Sequence, residues 1–166
     1  MTDWLDPEEQ RAWRAVIALS MRLPAALDTQ LQRDSGITHF EYFVLVVLSE
    51  SPGRRLRHSD LALRANASLS RLSHVVGKLE KRGLVERTTV AGSRGSTAVL
   101  TDAGFAKVEE AAAGHVDTVR ALLFDGLDRN QVEQLIPLGE AMIGQLDRAI
   151  SPAANRRPPT AHEEPR

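Results

Sequence analysis

Residues 69–87 read LSRLSHVVGKLEKRGLVER and combine a two-faced helix with the beginning of a strand. One face of the predicted helix is apolar and consists of Leu69, Leu72, Val75, Val76 and Leu79. The opposite face carries small polar side chains and long hydrogen-bond donors, namely Ser70, Arg71, Ser73, His74, Lys78 and Lys81. Gly83 ends the helix, because glycine is the usual residue just beyond a helix C-terminus. The segment therefore predicts a helix anchored by one face and open to a partner on the other.

The residues before this helix predict a second, shorter helix. It starts near Ser59 and carries Leu61, Ala62 and Ala65, and a brief polar turn, Asn66–Ser68, separates it from the longer helix. A short helix, a tight turn and a longer helix with a basic polar face form the order of a helix-turn-helix.

The residues after it predict a small β-hairpin. Residues 84–90 alternate as a strand, residues 91–95 form a glycine-containing loop, and residues 96–100 form a second β-prone run. Arg94 lies at the tip between Gly92 and Gly95, where no bulky neighbour would obstruct insertion into a narrow minor groove of DNA. The alternative is a plain exposed arginine. The hairpin is typical of the wing of a winged helix.

Long helices are predicted on both sides of this lobe. Asp6 with Glu9 and Thr38 with Glu41 have the spacing of capping boxes, and Gly36 separates the two helices that they begin. On the C-terminal side, caps at Thr101 and Asp128 start two further helices with apolar stripes, the second of which reaches Ile150. The fold class is therefore mainly α with a small β-hairpin wing: a winged helix-turn-helix with long terminal helices.

Composition excludes several classes of protein. The 166 residues are 42% hydrophobic and contain no cysteine, so disulfides, thiolate zinc sites and cysteine redox sensing are excluded. The run Phe43–Leu48 is too short to cross a bilayer, and the acidic start at Asp3 lacks the basic region of an export signal. We expect a cytoplasmic protein without membrane association.

Charge is distributed unevenly along the chain. Residues 54–94 contain ten lysines and arginines against three acidic residues, a net charge of +7, whereas the remainder carries −8. A basic middle segment indicates a polyanionic partner. The alternative is a solvated charged face.

These features predict a DNA-reading site. A recognition helix needs an apolar anchor, small residues that allow close approach to the groove, and a few long donors. The candidate DNA-binding residues are Ser68, Ser70, Arg71, Ser73, His74, Lys78 and Arg94. The competing interpretation is an ordinary solvated amphipathic helix.

A small-molecule site is a second hypothesis. Trp13, His39 and Tyr42 each combine an apolar body with a polar tip and could line an effector cavity, although such residues are often simply core. The histidines at 58, 74 and 115 are widely spaced and lack clustered carboxylates, so no metal site is expected. No phosphate loop, nucleophile elbow or acid–base pair is recognisable, so we expect neither a cofactor nor an enzyme.

The run 69–87, followed by Arg94-Gly95 and Val99–Gly104, resembles the MarR family of bacterial transcriptional regulators. The resemblance covers roughly residues 10 to 150. It implies a homodimer with intertwined terminal helices, recognition helices in successive major grooves of a pseudo-palindromic operator, and wings in the flanking minor grooves. It also implies repression that is relieved by an aromatic or lipophilic effector.

On this basis the chain is expected to have four segments. These are an N-terminal dimerisation helix (1–36), a winged helix-turn-helix lobe (37–100), C-terminal dimerisation helices (101–150) and a disordered tail (151–166).

The sequence departs from the family pattern at two places. Gly92 stands where an aspartate commonly precedes the wing arginine by two residues, and Gly77-Lys78 stand where Asp-Arg is common. These departures support an alternative function, a dimeric protein-interaction module of the same fold with weak or no DNA binding.

Overall fold

The computed structural model describes residues 2–89 and 95–150, which form six α-helices and three short strands. The helices are α1 (Pro7–Ser35), α2 (His39–Ser49), α3 (His58–Arg64), α4 (Leu69–Lys81), α5 (Asp102–Val119) and α6 (Arg129–Ile150). The strands are β1 (Arg55–Arg57), β2 (Val85–Thr89) and β3 (Ser96–Leu100). A 3-10 turn at Pro52–Arg54 precedes β1, and a π-helical turn at Arg120–Phe124 follows α5. The predicted fold class is confirmed.

The helix starts follow from local hydrogen bonding. Asp6 with Glu9 and Thr38 with Glu41 form the two predicted capping boxes, and Gly36 closes α1 in a left-handed conformation with φ 65°. Thr101 caps α5 through a bond from the Gly104 N–H. Each cap satisfies backbone donors that the first turn of a helix leaves unpaired, so these boundaries could be predicted from a few neighbouring residues.

The chain divides into two compact units, one extending to Leu122 and the other beginning at Leu123. In the first unit, α2 is central and packs against α1, α3, α5 and the sheet. Its core consists of completely buried aliphatic side chains, among them Leu31, Val44, Leu45, Leu48, Leu61, Leu72, Val76 and Leu79. Burial of this surface drives the folding of the unit.

The sheet has one strand more than the sequence predicted. Its order is β1-β3-β2, and both pairings are antiparallel. β2 and β3 form the predicted hairpin, with Val85 opposite Leu100 and Thr89 opposite Ser96. The unpredicted strand, β1, pairs Leu56 with Ala98 on the other side of β3. A three-residue strand with two arginines has too little periodicity to be recognised without its partner.

The second unit contains α6. The reciprocal bonds between Asp128 and Gln131 form the predicted cap, with distances of 2.9 Å and 2.8 Å. The apolar side chains of α6 are exposed, namely Leu135, Ile136, Leu138, Met142, Ile143, Leu146 and Ile150. Within residues 2–89 and 95–150, every helix is too short or too polar to span a bilayer.

Candidate nucleic-acid interface

The turn between α3 and α4 sets the direction of α4. Asn66 adopts a left-handed conformation with φ 45°, which asparagine tolerates better than most residues. Ser68 then caps α4, accepting a hydrogen bond from the Arg71 N–H at 3.2 Å. This geometry is the tight turn that the sequence predicted between the two helices.

The two faces of α4 are separated as the sequence predicted. Leu72, Val76 and Leu79 have no exposed surface and fix the helix on the core of the first unit. Six of the predicted DNA-binding residues lie on the solvent-exposed side of α4 or at its cap: Ser68, Ser70, Arg71, Ser73, His74 and Lys78. A long polyanion could therefore approach all six from one direction.

Two of these six side chains are held by α2. The guanidinium of Arg71 lies over the Phe40 ring, 4.1 Å from its centroid. The Lys78 ammonium lies 2.9 Å from Oε1 of Glu41, without hydrogen-bond geometry, and a guanidinium nitrogen of Arg82 lies 3.9 Å from Oε2. The sequence predicted Glu41 only as part of a capping box and gave no role to Phe40, so neither contact was expected.

Glu41 is a buried carboxylate with compensating partners. Its side chain is only 2% exposed, and Oε2 accepts a hydrogen bond from the Thr38 N–H at 2.7 Å. Burial by itself raises the pKa of Glu41, but the Thr38 N–H and the Lys78 ammonium together outweigh burial and leave the pKa below its ordinary value. The group is therefore an anion beneath the exposed face of α4.

Arg87 is a further residue that the sequence analysis did not single out. From β2 it donates a hydrogen bond to the Ser73 carbonyl at 2.6 Å and pairs with Glu80 at 3.3 Å, which ties the hairpin to α4. A Cβ at position 77 would lie 3.1 Å from Nη2 of Arg87. Gly77 leaves space beside the guanidinium, which would have to shift by a few tenths of an ångström if this position carried a Cβ. The glycine inside a predicted helix was the sequence signal that could have pointed to a close contact here.

The loop end of the hairpin is tied to α3. The buried His58 ring contacts both the Oγ and the carbonyl oxygen of Ser96 through Nδ1, at 2.8 Å and 3.0 Å. These contacts join the first residue of α3 to the first residue of β3. The predicted tip of the wing, with Gly92 and Arg94, lies outside the described residues.

The predicted effector residues are only partly brought together. His39 and Tyr42 lie against His115 of α5, with ring centroids 6.0 Å and 4.7 Å from it. Burial lowers the pKa of both His39 and His115 below the usual histidine value, which favours neutral rings at this junction. Nδ1 of His115 is buried and has no hydrogen-bond partner within the described part of the chain.

Trp13 does not join this junction. The His39 N–H donates to Asp28 of α1 at 2.8 Å, and Trp13 precedes Asp28 by fifteen residues of the same helix. At 1.5 Å per residue, the two positions are about 22 Å apart along the helix axis. Trp13 is 55% exposed, whereas Tyr42 is buried. His115 stands at the junction, where the sequence analysis had expected Trp13.

A family model and similar solved structures agree on the family to which this sequence is related. The MarR family model matches residues 37–94. Sco3205, a MarR family transcriptional regulator from Streptomyces coelicolor solved in complex with DNA, is 44% identical, with a TM-score of 0.83 over 93% of this chain and 96% of that one. AbsC, a MarR family transcriptional regulator from the same organism, is 38% identical, with a TM-score of 0.77 over 86% and 99%.

CouR from Rhodococcus jostii RHA1, solved bound to p-coumaroyl-CoA, has a similar fold at 22% identity, with a TM-score of 0.65 over 77% of this chain and 88% of that one. The comparison with curated protein sequences gave no significant match. The 44% identity to Sco3205 extends over nearly the full length of both chains. The chain therefore belongs to the MarR family of transcriptional regulators.

Proposed function

We propose that this protein is a sequence-specific DNA-binding regulator that acts in the cytoplasm as a homodimeric repressor and is released from DNA by a small-molecule effector. The observation that carries the proposal is the exposed polar face of α4. The buried apolar face of the same helix fixes α4 on the core, and Arg87 ties α4 to the hairpin. Small side chains let such a helix enter a major groove, while Arg71 and His74 reach base edges. The +7 segment supplies attraction for phosphates.

A titration against DNA tests this function. The duplexes are the promoter region of the protein's own gene and a scrambled duplex of equal length and composition, with binding followed by fluorescence anisotropy. We expect the promoter duplex to bind at least about 1000-fold more tightly at physiological salt. Equal, weak affinity for both duplexes would instead favour a protein-interaction module that retains the fold. The departure at Gly77, which is part of the sequence support for that alternative, places a glycine beside the Arg87 guanidinium.

The homodimer is inferred from apolar surface that one protomer leaves uncovered. On α1, Trp13, Val16 and Leu19 are each at least 40% exposed. An open apolar depression of about 310 Å³ lies along the same helix and includes Leu23 and Ala26. The apolar side chains of α6 are also exposed. Contiguous apolar patches of this kind are rare on monomers, and a two-fold axis would cover the segments 1–36 and 101–150 with their own copies.

We expect the protein to sediment as a dimer at micromolar concentration, twice the 18.2 kDa mass of the chain. Replacing Leu19 with glutamate should shift the population towards monomer, because it places a charge in the apolar surface. Replacing the exposed Leu63 of α3 with glutamate is the control and should leave the mass unchanged. Sedimentation of the unmodified chain as a clean monomer would refute the dimer.

The effector site is assigned to the junction of α2 and α5, where His39, Tyr42 and His115 meet. A cluster of aromatic rings with one unpaired polar atom, Nδ1 of His115, suits an aromatic or phenolic compound, which can stack and form a hydrogen bond. An effector can release DNA only if it binds the DNA-incompetent conformation more tightly. We expect a panel of phenols and aromatic acids to contain compounds that raise the melting temperature and release DNA, with both effects lost in Tyr42→Leu. A panel that does neither would exclude this class of effector.

A further inference from the structure

The first turn of α2 contacts two different neighbours. His39 and Tyr42 face His115 of α5, whereas Phe40 and Glu41 reach α4. The two contacts with α4 involve the two long cations of its exposed face that we assign to DNA reading, Arg71 and Lys78. The face of α4 is therefore shaped in part by side chains that belong to another helix.

Glu41 constrains Lys78 more strongly than a surface ion pair would. The carboxylate is 2% exposed, and a buried charge that loses its partner is costly, so the pairing with Lys78 is maintained. Lys78 itself is 54% exposed, which places its ammonium at the rim between the buried anion and solvent. The pairing also cancels one positive charge of the α4 face in each protomer.

Phe40 constrains Arg71 in a different way. A guanidinium 4.1 Å from a ring centroid is attracted by the face of the ring, and the stacking removes rotamer freedom from a long side chain. The contact leaves the charge of Arg71 unaltered. Phe40 is partly buried against the core, so the ring is a fixed platform.

We propose that Phe40 and Glu41 are specificity-determining positioning residues of the DNA-binding face. Phe40 holds Arg71 in place before DNA binds, and Glu41 holds and neutralises Lys78, so that this lysine adds little to attraction for phosphates of any sequence. The proposal rests on the DNA-binding function proposed above. It assigns to α2 a part in discriminating operator from other DNA, although α2 itself does not enter a groove.

The first test replaces Glu41 with glutamine, which can still cap α2 from the third helical position but carries no charge. Affinity for operator and scrambled duplexes is measured between 0.05 and 0.3 M salt. Releasing one ammonium per protomer should steepen the slope of log affinity against log salt by about 2, and should tighten binding to the scrambled duplex about 10-fold at 0.1 M salt. The ratio of the affinity for the operator duplex to the affinity for the scrambled duplex should fall.

The matched control is the same substitution in a Lys78→Met background. Methionine keeps the apolar stem of the side chain without the ammonium, so Glu41→Gln should then leave the slope unchanged. A slope that steepens in this background would overturn the role of Lys78. If the Glu41→Gln protein has a lower melting temperature but keeps the slopes of log affinity against log salt for both duplexes, Glu41 has only a structural role.

The second test does not require a change at Glu41. Phe40→Leu removes the ring face but no charge, so operator affinity should fall about 5- to 30-fold across the two half-sites with an unchanged salt slope. Phe40→Tyr keeps the ring face and should restore the affinity. Unaltered operator binding by Phe40→Leu, or no rescue by tyrosine, would overturn this part of the proposal.

The same experiments distinguish failure of the proposed DNA-binding function from failure of the positioning role. If the unmodified protein does not bind DNA with a salt-dependent affinity, the DNA-binding function itself is wrong. If the unmodified protein discriminates operator from scrambled DNA and all the variants match it, only the positioning role is wrong.

Discussion

Replacing Gly104 with alanine is expected to lower the free energy of unfolding by about 3 kcal/mol, the upper part of the usual range for overpacking a core. A Cβ at this position would lie 2.1 Å from the carbonyl oxygen of Leu84 and 2.6 Å from Cδ1 of Leu100. Neither distance is tolerable, so the backbone of α5 or of the strand segment must move.

The surrounding hydrogen bonds explain why that movement is costly. The carbonyl of Leu84 accepts a bond from the Thr101 N–H at 3.2 Å, and Oγ1 of Thr101 donates to the Gly83 carbonyl at 2.7 Å. The same Oγ1 caps α5 by accepting from the Gly104 N–H at 3.0 Å. Displacing Leu84 or α5 would break the joint between the hairpin and the helix that follows it.

Urea unfolding at fixed protein concentration measures this effect, because the stability of the proposed dimer would depend on concentration. Gly114→Ala, on the same helix, is the matched control: its Cβ would meet only Nε2 of Gln30 at an ordinary 3.5 Å. That variant should be neutral or stabilised by up to about 1 kcal/mol, since alanine favours helix. Equal stability of the two variants would contradict the close approach at Gly104.

The second large effect concerns DNA recognition. The double variant Arg71→Ala/His74→Ala should lose about 3 kcal/mol per dimer of its preference for operator over scrambled DNA, because each protomer loses two donors suited to base edges. Binding to the scrambled duplex should also weaken, because each protomer loses one positive charge facing the phosphates, but this loss is common to both duplexes and cancels in the preference.

The control for this variant is Arg129→Ala, which removes the same formal charge from the start of α6. Arg129 is 92% exposed and pairs only with Glu133 of its own helix among the described residues. We expect its operator preference to equal that of the unmodified protein. If the double variant discriminates as well as this control, α4 is not the element that reads the bases.

Local signals made much of this fold predictable. The capping boxes at Asp6 and Thr38, the helix end at Gly36 and the cap of α5 each depend on residues within one helical turn. The two faces of α4 follow from a helical period that the sequence displays directly. These features were predicted because their causes are close together in the chain.

The features that were missed depend on contacts between distant segments. β1 exists because Leu56 meets Ala98, and Arg87 crosses from β2 to the backbone of α4. Glu41 was predicted as a cap and also proves to be the partner of Lys78, which lies 37 positions further along the chain. Nothing in the local pattern encodes such a pairing, since a capping glutamate looks the same whether its second oxygen meets water or a lysine.

The junction of α2 and α5 shows the same limit. Trp13 and His39 both belong to helices with apolar stripes, but periodicity reports which face a residue lies on and not where along the axis its partner sits. His115 was weighed only as a metal ligand, although its ring lies 4.7 Å from that of Tyr42. Its role at the junction becomes apparent only when α5 is placed beside α2.

The most direct test of DNA binding through α4 is the salt dependence of operator binding by the unmodified protein. If the +7 segments of two protomers face the phosphates, the slope of log affinity against log salt should be roughly −6 to −10. A slope near zero between 0.05 and 0.3 M salt would mean that few counterions are released, and would contradict the assignment of α4 and its basic surroundings as a DNA-binding surface.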